Sequence, residues 1–276
     1  MSETTKILTT KDGLSLFSRA WTIENPKGAI ALIHGFGEHG GRYAHVSRFF
    51  NTHGYSLYAL DNRGHGQSGG KRGHTPRYES YMDDIEVFLT EVRSQIGNES
   101  LFLYGHSMGG NLALNYVLKR KPSIMGLIAS GLWIQLAFEP KPILVLLGKL
   151  MRNIFPAFSQ NSGLDQSHVS KDPAVVEAYK NDPLVHGKIT ASASIGILEA
   201  ATFLNEYTGT MPTPTLMMHG SEDLLTSQPA SEAFAKRVGG DIIYKKWEGM
   251  YHEIHNEPKQ LEVFNYTLDW MESHAK

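Results

Sequence analysis

The stretch Leu101-Phe102-Leu103-Tyr104-Gly105-His106-Ser107-Met108-Gly109-Gly110-Asn111-Leu112-Ala113-Leu114-Asn115-Tyr116-Val117-Leu118-Lys119 decides the architecture. A short continuous apolar run that ends at a glycine reads as a strand buried on both faces, and residues 111–119 read as a helix. The turn between them holds Ser107 in a sharp strand-to-helix conformation, which needs small residues on both sides. Gly105 and Gly109 supply that clearance. Ser107 also sits at a helix amino terminus, where backbone N–H groups and the helix dipole favour developing negative charge. In a chain with 27 glycines the Gly-x-Ser-x-Gly match alone carries little. The strand before it and the helix after it give it weight.

The same rhythm extends outward. Short apolar runs at 29–33, 56–60, 124–129, 215–218 and 242–247 alternate with helical periods near 43–51, 77–96, 229–238 and 258–273. This pattern predicts a mostly parallel sheet flanked by helices. Ahead of it, two alternating runs at 7–10 and 14–20, separated by Lys11-Asp12-Gly13, predict an antiparallel hairpin at the sheet edge. Between Trp133 and about Met211 the rhythm stops for roughly eighty residues that are helical, apolar and loop-rich. We read three intervals: a core segment 1–133, an inserted cap 134–210 and a second core segment 211–276. Inside the cap Ile143, Leu146, Leu147, Leu150 and Ile154 share one helical face, with Lys149 and Arg152 opposite. That face either packs on the core or, widened by Leu144, Val145 and Met151, lines a lipid tunnel or touches a membrane.

A serine hydroxyl is a weak nucleophile. It needs a histidine base, which in turn needs an orienting carboxylate. His219-Gly220-Ser221-Glu222-Asp223 follows the run 215–218, and Gly249-Met250-Tyr251-His252 follows the run 242–247. Ser107, Asp223 and His252 therefore each fall just beyond a predicted strand, where open α/β sheets carry their functional groups. Glu222 competes with Asp223 as the acid, and His255 with His252 as the base. His252-Glu253-Ile254-His255 is one residue short of the H-E-x-x-H zinc spacing, so we expect no metal. His34-Gly35-Phe36-Gly37-Glu38 follows the run 29–33. It is either a flexible glycine turn or the second source of oxyanion donors, in which case the N–H groups of Phe36 and Met108 form the pair.

Composition removes other classes. The chain has 276 residues, 20% of them charged, and a net charge of −2, so nothing points to a nucleic-acid partner. Without cysteine there is no disulfide framework, thiolate nucleophile or cysteine zinc site. The first eleven residues lack the apolar stretch of a secretory signal, so we expect a cytoplasmic protein. The apolar run 142–158 is broken by Lys149, Arg152 and Asn153 and is shorter than the roughly 20 residues that span a bilayer.

Taken together these blocks resemble the monoacylglycerol lipase family of serine hydrolases. The resemblance is carried by His34-Gly35-x-Gly37-Glu38-His39-x-Gly41-Arg42-Tyr43, Asp61-x-Arg63-Gly64-His65-Gly66-x-Ser68, Gly105-His106-Ser107-Met108-Gly109-Gly110, His219-Gly220-Ser221-x-Asp223 and Tyr251-His252-x-x-His255. The Gly-Glu-His-x-Gly-Arg-Tyr block is the discriminating one. The resemblance implies an α/β-hydrolase fold, with a mostly parallel eight-stranded sheet and an inserted helical cap. It also implies a catalytic triad of Ser107, Asp223 and His252, an oxyanion hole from Phe36 and Met108, and a structural role for the block 61–68, with Arg63 anchoring loops. Tyr179, ahead of Asp182-Pro183, matches the family's glycerol-binding tyrosine, and Glu38, Arg42 and His106 match polar positions near the glycerol end of the pocket. The cap departs most from the family, Phe36 is bulky for the oxyanion loop, and Thr226 stands where some relatives carry a cysteine.

The implied reaction is hydrolysis of a monoacylglycerol through an acyl-serine, with no cofactor. The partners expected are a small lipid ester and a transient membrane surface met through the cap, with no obligate protein partner. A lysophospholipase, a general carboxylesterase and a peptidase of the proline-iminopeptidase type are the competing enzymes. Ser107 at the turn argues against dehalogenases and epoxide hydrolases, which need an aspartate there. A silent ligand-binding protein of the same fold is the competing class.

Overall fold

A computed structural model describes residues 2–140 and 142–275. Met1, Lys141 and Lys276, which the expected intervals include, lie outside the described residues. In chain order the first half runs β1 (Ser2–Thr9), β2 (Ser15–Thr22), β3 (Gly28–Ile33), α1 (Ala44–Thr52), β4 (Tyr55–Leu60), α2 (Tyr78–Ile96), β5 (Ser100–His106), α3 (Met108–Arg120) and β6 (Gly126–Ser130). The second half runs α4 (Pro142–Ile154), β7 (Ser159–Asn161), α5 (Pro173–Asn181), β8 (Lys188–Thr190), α6 (Ala191–Glu206), β9 (Thr215–Gly220), α7 (Gln228–Arg237), β10 (Ile242–Trp247) and α8 (Gln260–His274).

Among the described residues, eight strands form one sheet in the order β1-β2-β4-β3-β5-β6-β9-β10. β1 and β2 are the expected edge hairpin, antiparallel to each other, and β2 is antiparallel to β4. From β4 to β10 the pairing is parallel. Alternation along β3 explains why the inner strands are apolar on both faces, whereas the edge strand β10 carries Lys245 and Lys246. Ala29, Ala31 and Ile33 pack in one core with α2 and α3, while Ile30 and Leu32 pack in another with α1 and α8. Helices cover both faces, so neither set of side chains can be polar.

The chain leaves β3 toward β4 through α1 and leaves β5 toward β6 through α3, and these two helices cover opposite faces of the sheet. The carboxyl ends of β3 and β5 therefore flank a topological switch point, where open α/β sheets place their ligands. Ser107 follows β5 directly, and the 34–38 loop follows β3.

The interval 134–210 divides in two. α6 belongs to the main core, with Ala193, Ile197, Ala200, Ala201 and Leu204 in the same cluster as α2 and α3. Ahead of it, α4, α5 and the antiparallel pair β7–β8 form the roof. Here the structure corrects one expectation. The face of α4 carrying Ile143, Leu146, Leu147, Leu150 and Ile154 neither packs on the core nor lines a tunnel: Ile143 is 66%, Leu146 64% and Ile154 69% exposed. The opposite face carries Gly148, the buried residue of α4, where an added Cβ would lie 3.1 Å from Ile195 Cδ1 of α6. Only that face lets α4 approach α6 closely, and Arg152 reinforces the approach through a 2.7 Å ion pair with Glu199. No helix among the described residues is long and apolar enough to cross a membrane.

The block 61–68 is a brace. Arg63 Nε and Nη2 each donate at 2.6 Å to the Asp84 carboxylate on α2, and Nη1 donates at 2.9 Å to Asp12 in the β1–β2 turn. Asp61 accepts from the N–H groups of Gly40 and Gln67, both at 2.8 Å. A side chain at Gly66, whose φ is 50°, would collide with that same carboxylate. Removing one partner of a buried ion pair strands the other charge, at a cost of about 3–5 kcal/mol. Arg63→Ala should therefore lower the unfolding free energy by about that amount in denaturant titration. A loss within about 0.5 kcal/mol, typical of surface changes, would show that the brace is not structural.

Candidate active site

Ser107 is one of three non-glycine residues among those described with positive φ, at φ 55° and ψ −116°. The strand-to-helix turn imposes this conformation, and the glycines permit it: a Cβ at Gly105 would strike Gly109 O, and one at Gly109 would strike Ile33 O. Ser107 N–H donates to Ser130 O at 2.9 Å, and Ser107 O accepts from Asn111 N at 3.0 Å, so the turn is held from both sides. Met108 opens α3, where first-turn N–H groups have no intrahelical acceptor. The Met108 side chain is buried in the core, leaving its N–H as the group it can offer a ligand.

Asp223 and His252 come together from the ends of β9 and β10. His252 Nδ1 donates to Asp223 Oδ2 at 2.7 Å, which leaves Nε2 as the free ring nitrogen. Asp223 Oδ1 accepts from the N–H groups of Leu225 (2.8 Å) and Thr226 (3.0 Å). Glu222 points elsewhere, to a 2.7 Å ion pair with Lys171. His255 is buried against Tyr43, with ring centroids 4.7 Å apart. Ser107 and His252 line the same cavity of about 40 Å³, together with Gly35, Phe36, Glu38, His106, Trp133 and Tyr179. Among the described residues no hydrogen bond joins the Ser107 hydroxyl to His252, a gap that nucleophile–base pairs commonly close as substrate binds.

Burial alone would lower the His252 pKa, but the adjacent Asp223 carboxylate outweighs it and raises it above 6.5. Burial would raise Asp223, but His252, with help from His219, holds it well below 3.8. His106, despite a smaller opposing pull from Asp223, and His255 are pushed well down by burial.

The loop after β3 is shaped by Glu38. Its carboxylate accepts Gly35 N–H at 2.7 Å, the Tyr43 hydroxyl at 2.9 Å and Arg42 Nη1 at 2.6 Å. Arg42 also makes a two-pronged contact with Glu253, at 2.6 and 2.7 Å, and lies 4.5 Å over the Tyr179 ring. Of the four residues matched to the glycerol end, Glu38, His106 and Tyr179 line the cavity, whereas Arg42 is not among its described lining residues. Its guanidinium ties the loop after β3 to the loop of His252. Glu38, His106 and Glu253 hold ligand-type atoms within 4.8 Å of one another, but the Arg42 charge already occupies the place between the carboxylates.

Sequence reasoning gave no role to Glu253, His219 or Thr226, although His219 opens the block that contains Asp223. Thr226 Oγ1 lies 2.9 Å from Asp223 Oδ2 and 2.9 Å from Gly131 O. His219 and Thr226 reach Asp223 through the turn of the loop after β9 itself, whereas Thr226 meets Gly131 O, and Glu253 meets Arg42, only when loops after different strands come together.

An arrangement of this kind can carry out acyl transfer: a hydroxyl attacks, an imidazole takes its proton, and backbone N–H groups receive the oxyanion. The imidazole must be neutral to act as base. Rates on a soluble ester should therefore rise with pH through an inflection above 6.5, because Asp223 favours protonated His252. Asp223→Asn removes the charge and the tautomer control, and should cut turnover by about 10⁴ and move the inflection down. A wild-type inflection below the ordinary histidine value, or one unmoved in Asp223→Asn, would contradict the pairing.

The family described as serine aminopeptidase S33 matches residues 24–259. A monoacylglycerol lipase of Mycolicibacterium smegmatis is 33% identical over 95% of this chain and 94% of its own length. An uncharacterized abhydrolase domain-containing protein of Dictyostelium discoideum is 37% identical over 98% of this chain, which spans 29% of that protein. The crystal structure of the Paleococcus ferrophilus monoacylglycerol lipase superposes with a TM-score of 0.84 at 30% identity, covering 99% of this chain and 100% of the other. The eight-stranded sheet, the matched residues and these relatives agree, and the chain belongs to the serine aminopeptidase S33 family of α/β-hydrolases, within the group that includes the monoacylglycerol lipases.

Proposed function

We propose that this chain hydrolyses monoacylglycerols to fatty acid and glycerol through an acyl-Ser107 intermediate. His252 Nε2 takes the hydroxyl proton as Ser107 Oγ attacks the ester carbonyl, and the oxyanion rests on the N–H groups of Phe36 and Met108. Collapse of the tetrahedral intermediate expels glycerol, which takes the proton from His252. Water then cleaves the acyl-serine by the same route.

The observation that carries the substrate class is a pair of adjoining cavities. The chamber at Ser107 shares Trp133, Leu136 and Leu164 with a second cavity of about 400 Å³, lined by Phe138, Leu144, Val145, Ile189, Ile195 and Leu198 among others. Thus Leu144 and Val145, not the outward stripe of α4, provide the apolar wall. One acyl chain fits this second cavity, each buried CH₂ contributing roughly 0.8 kcal/mol. Glu38, His106 and Tyr179 face the small hydroxylated head, with Arg42 holding Glu38 and Tyr179 from behind.

The outward stripe of α4 has a separate use. Ile143, Leu146, Leu150 and Ile154 form an exposed apolar strip on the same helix whose Leu144 and Val145 line the acyl cavity. Contiguous exposed apolar patches mark interaction sites, and we place this strip on the surface of a lipid aggregate, from which a chain can enter. Leu146→Asp with Leu150→Asp should reduce flotation with phosphatidylcholine vesicles and slow hydrolysis of vesicle-borne monoolein severalfold, with unchanged rates on a soluble ester. Unchanged flotation would rule this surface out.

Ser107→Ala should lower turnover by several orders of magnitude in a folded protein, as loss of a triad nucleophile does. With mono-, di- and triacylglycerols, lysophospholipids and an amino-acid anilide in matched detergent micelles, monoacylglycerols should be cleaved fastest, improving from short to medium chains. Equal cleavage of long-chain triacylglycerol would exclude the single acyl cavity. Preference for the anilide would move the reading to an aminopeptidase.

A further inference from the structure

Asp223 Oδ2 is shared by two imidazoles. His252 Nδ1 reaches it at 2.7 Å from the loop after β10, and His219 Nε2 at 2.9 Å from the end of β9. His219 is fully buried and ends β9 one residue before Gly220. Its proton can be placed from its neighbours. Nε2 faces two acceptors, the Asp223 carboxylate and Thr226 O at 3.3 Å, so Nε2 carries the hydrogen. Nδ1 is then an acceptor, and the buried Ser231 hydroxyl on α7, 3.0 Å away, donates to it. A hydrogen-bonded series runs from Ser231 through His219 and Asp223 to His252, and on to the cavity that Ser107 lines.

We propose that His219 is a positioning residue for the Ser107 reaction: by donating to the oxygen that His252 also uses, it fixes the rotation of Asp223 and sets the basicity of His252. A carboxylate that accepts an additional hydrogen bond holds its charge less available to any one partner. Without His219 the charge of Asp223 falls more fully on His252, which keeps its proton to higher pH. The carboxylate also loses one of the contacts that hold its plane. Apart from Asp223 and His219, the titratable and charged groups facing His252 are Glu253 and Glu38, both bound to Arg42, and the buried His106 and His255. The variants below alter none of these.

The inference rests on the reading of Ser107 as nucleophile, so Ser107→Ala serves as the blank. Hydrolysis of p-nitrophenyl butyrate is followed against pH for wild type, His219→Leu, His219→Gln and Ser231→Ala, with folding checked by thermal melt. In His219→Leu the plateau should fall about tenfold to a hundredfold, by analogy with the loss of an outer hydrogen-bond partner behind a metal-bound imidazole, and the acid limb should move to higher pH. His219→Gln keeps an amide N–H donor of similar reach and should return the limb to its wild-type position. Ser231→Ala frees the His219 tautomer and should move the limb in the same direction by less. A folded His219→Leu with an unmoved limb would overturn the proposal even if its plateau fell, since a purely structural role lowers the rate without touching the profile. A limb in His219→Gln displaced as far as in His219→Leu would overturn it as well. Should His219→Leu fail to fold, an unmoved limb in Ser231→Ala decides against it. Wild-type turnover no greater than that of Ser107→Ala would instead overturn the nucleophile reading, and this inference with it.

Discussion

The strained turn at Ser107 is the constraint on which the site depends. A serine at positive φ is an unfavourable conformation that persists only where its surroundings over-determine it. Here β5 feeds the turn from one side and α3 receives it on the other, with Gly109 packed directly on the backbone of Ile33. The contact that makes Gly109 irreplaceable also sets the distance between the β3 and β5 ends. The Phe36 loop and the Ser107 turn are therefore positioned against each other by backbone packing, before any side chain of the site is considered.

A second layer of constraint is electrostatic. Arg42 joins two carboxylates from distant parts of the chain: Glu38 lies four residues before it, and Glu253, adjacent to His252, lies 211 residues after it. Buried carboxylates of this kind are stable as ions only with a partner. The guanidinium thus fixes the loop after β3 relative to the loop of His252, and it gives Glu38 and Glu253 a shared counter-charge. Tyr179, stacked on Arg42, brings α5 of the roof into the same arrangement.

Much of this was legible in the chain itself. Continuous apolar runs located the inner strands β3 to β6 and β9, because strands covered on both faces must be apolar on both, whereas the edge pair β1 and β2 was marked by alternation. The elbow glycines were readable because a turn after a strand demands them. The facing of α4 was not readable. Periodicity tells which residues share a face, not which face meets a neighbour, and Gly148, the residue that permits close approach, sits among larger apolar side chains that look more suited to burial. Nor did pattern reveal that α6 joins the main core, since nothing in its sequence distinguishes a helix packed under the sheet from one in the roof. The residues around the site were hidden for a related reason. His219 lies in a quoted block, but its contact with Asp223 requires the β9 loop to fold back on itself, and Arg42 finds Glu253 only across the assembled sheet.

The central claim is that the fold concentrates nucleophilic reactivity at one hydroxyl. It is tested most directly by treating the intact protein with a fluorophosphonate and locating the adduct by peptide mass spectrometry. The account predicts one adduct per chain, on Ser107, formed by the folded protein and abolished when it is unfolded. A folded protein that takes no label, or takes it on another residue, would contradict the account.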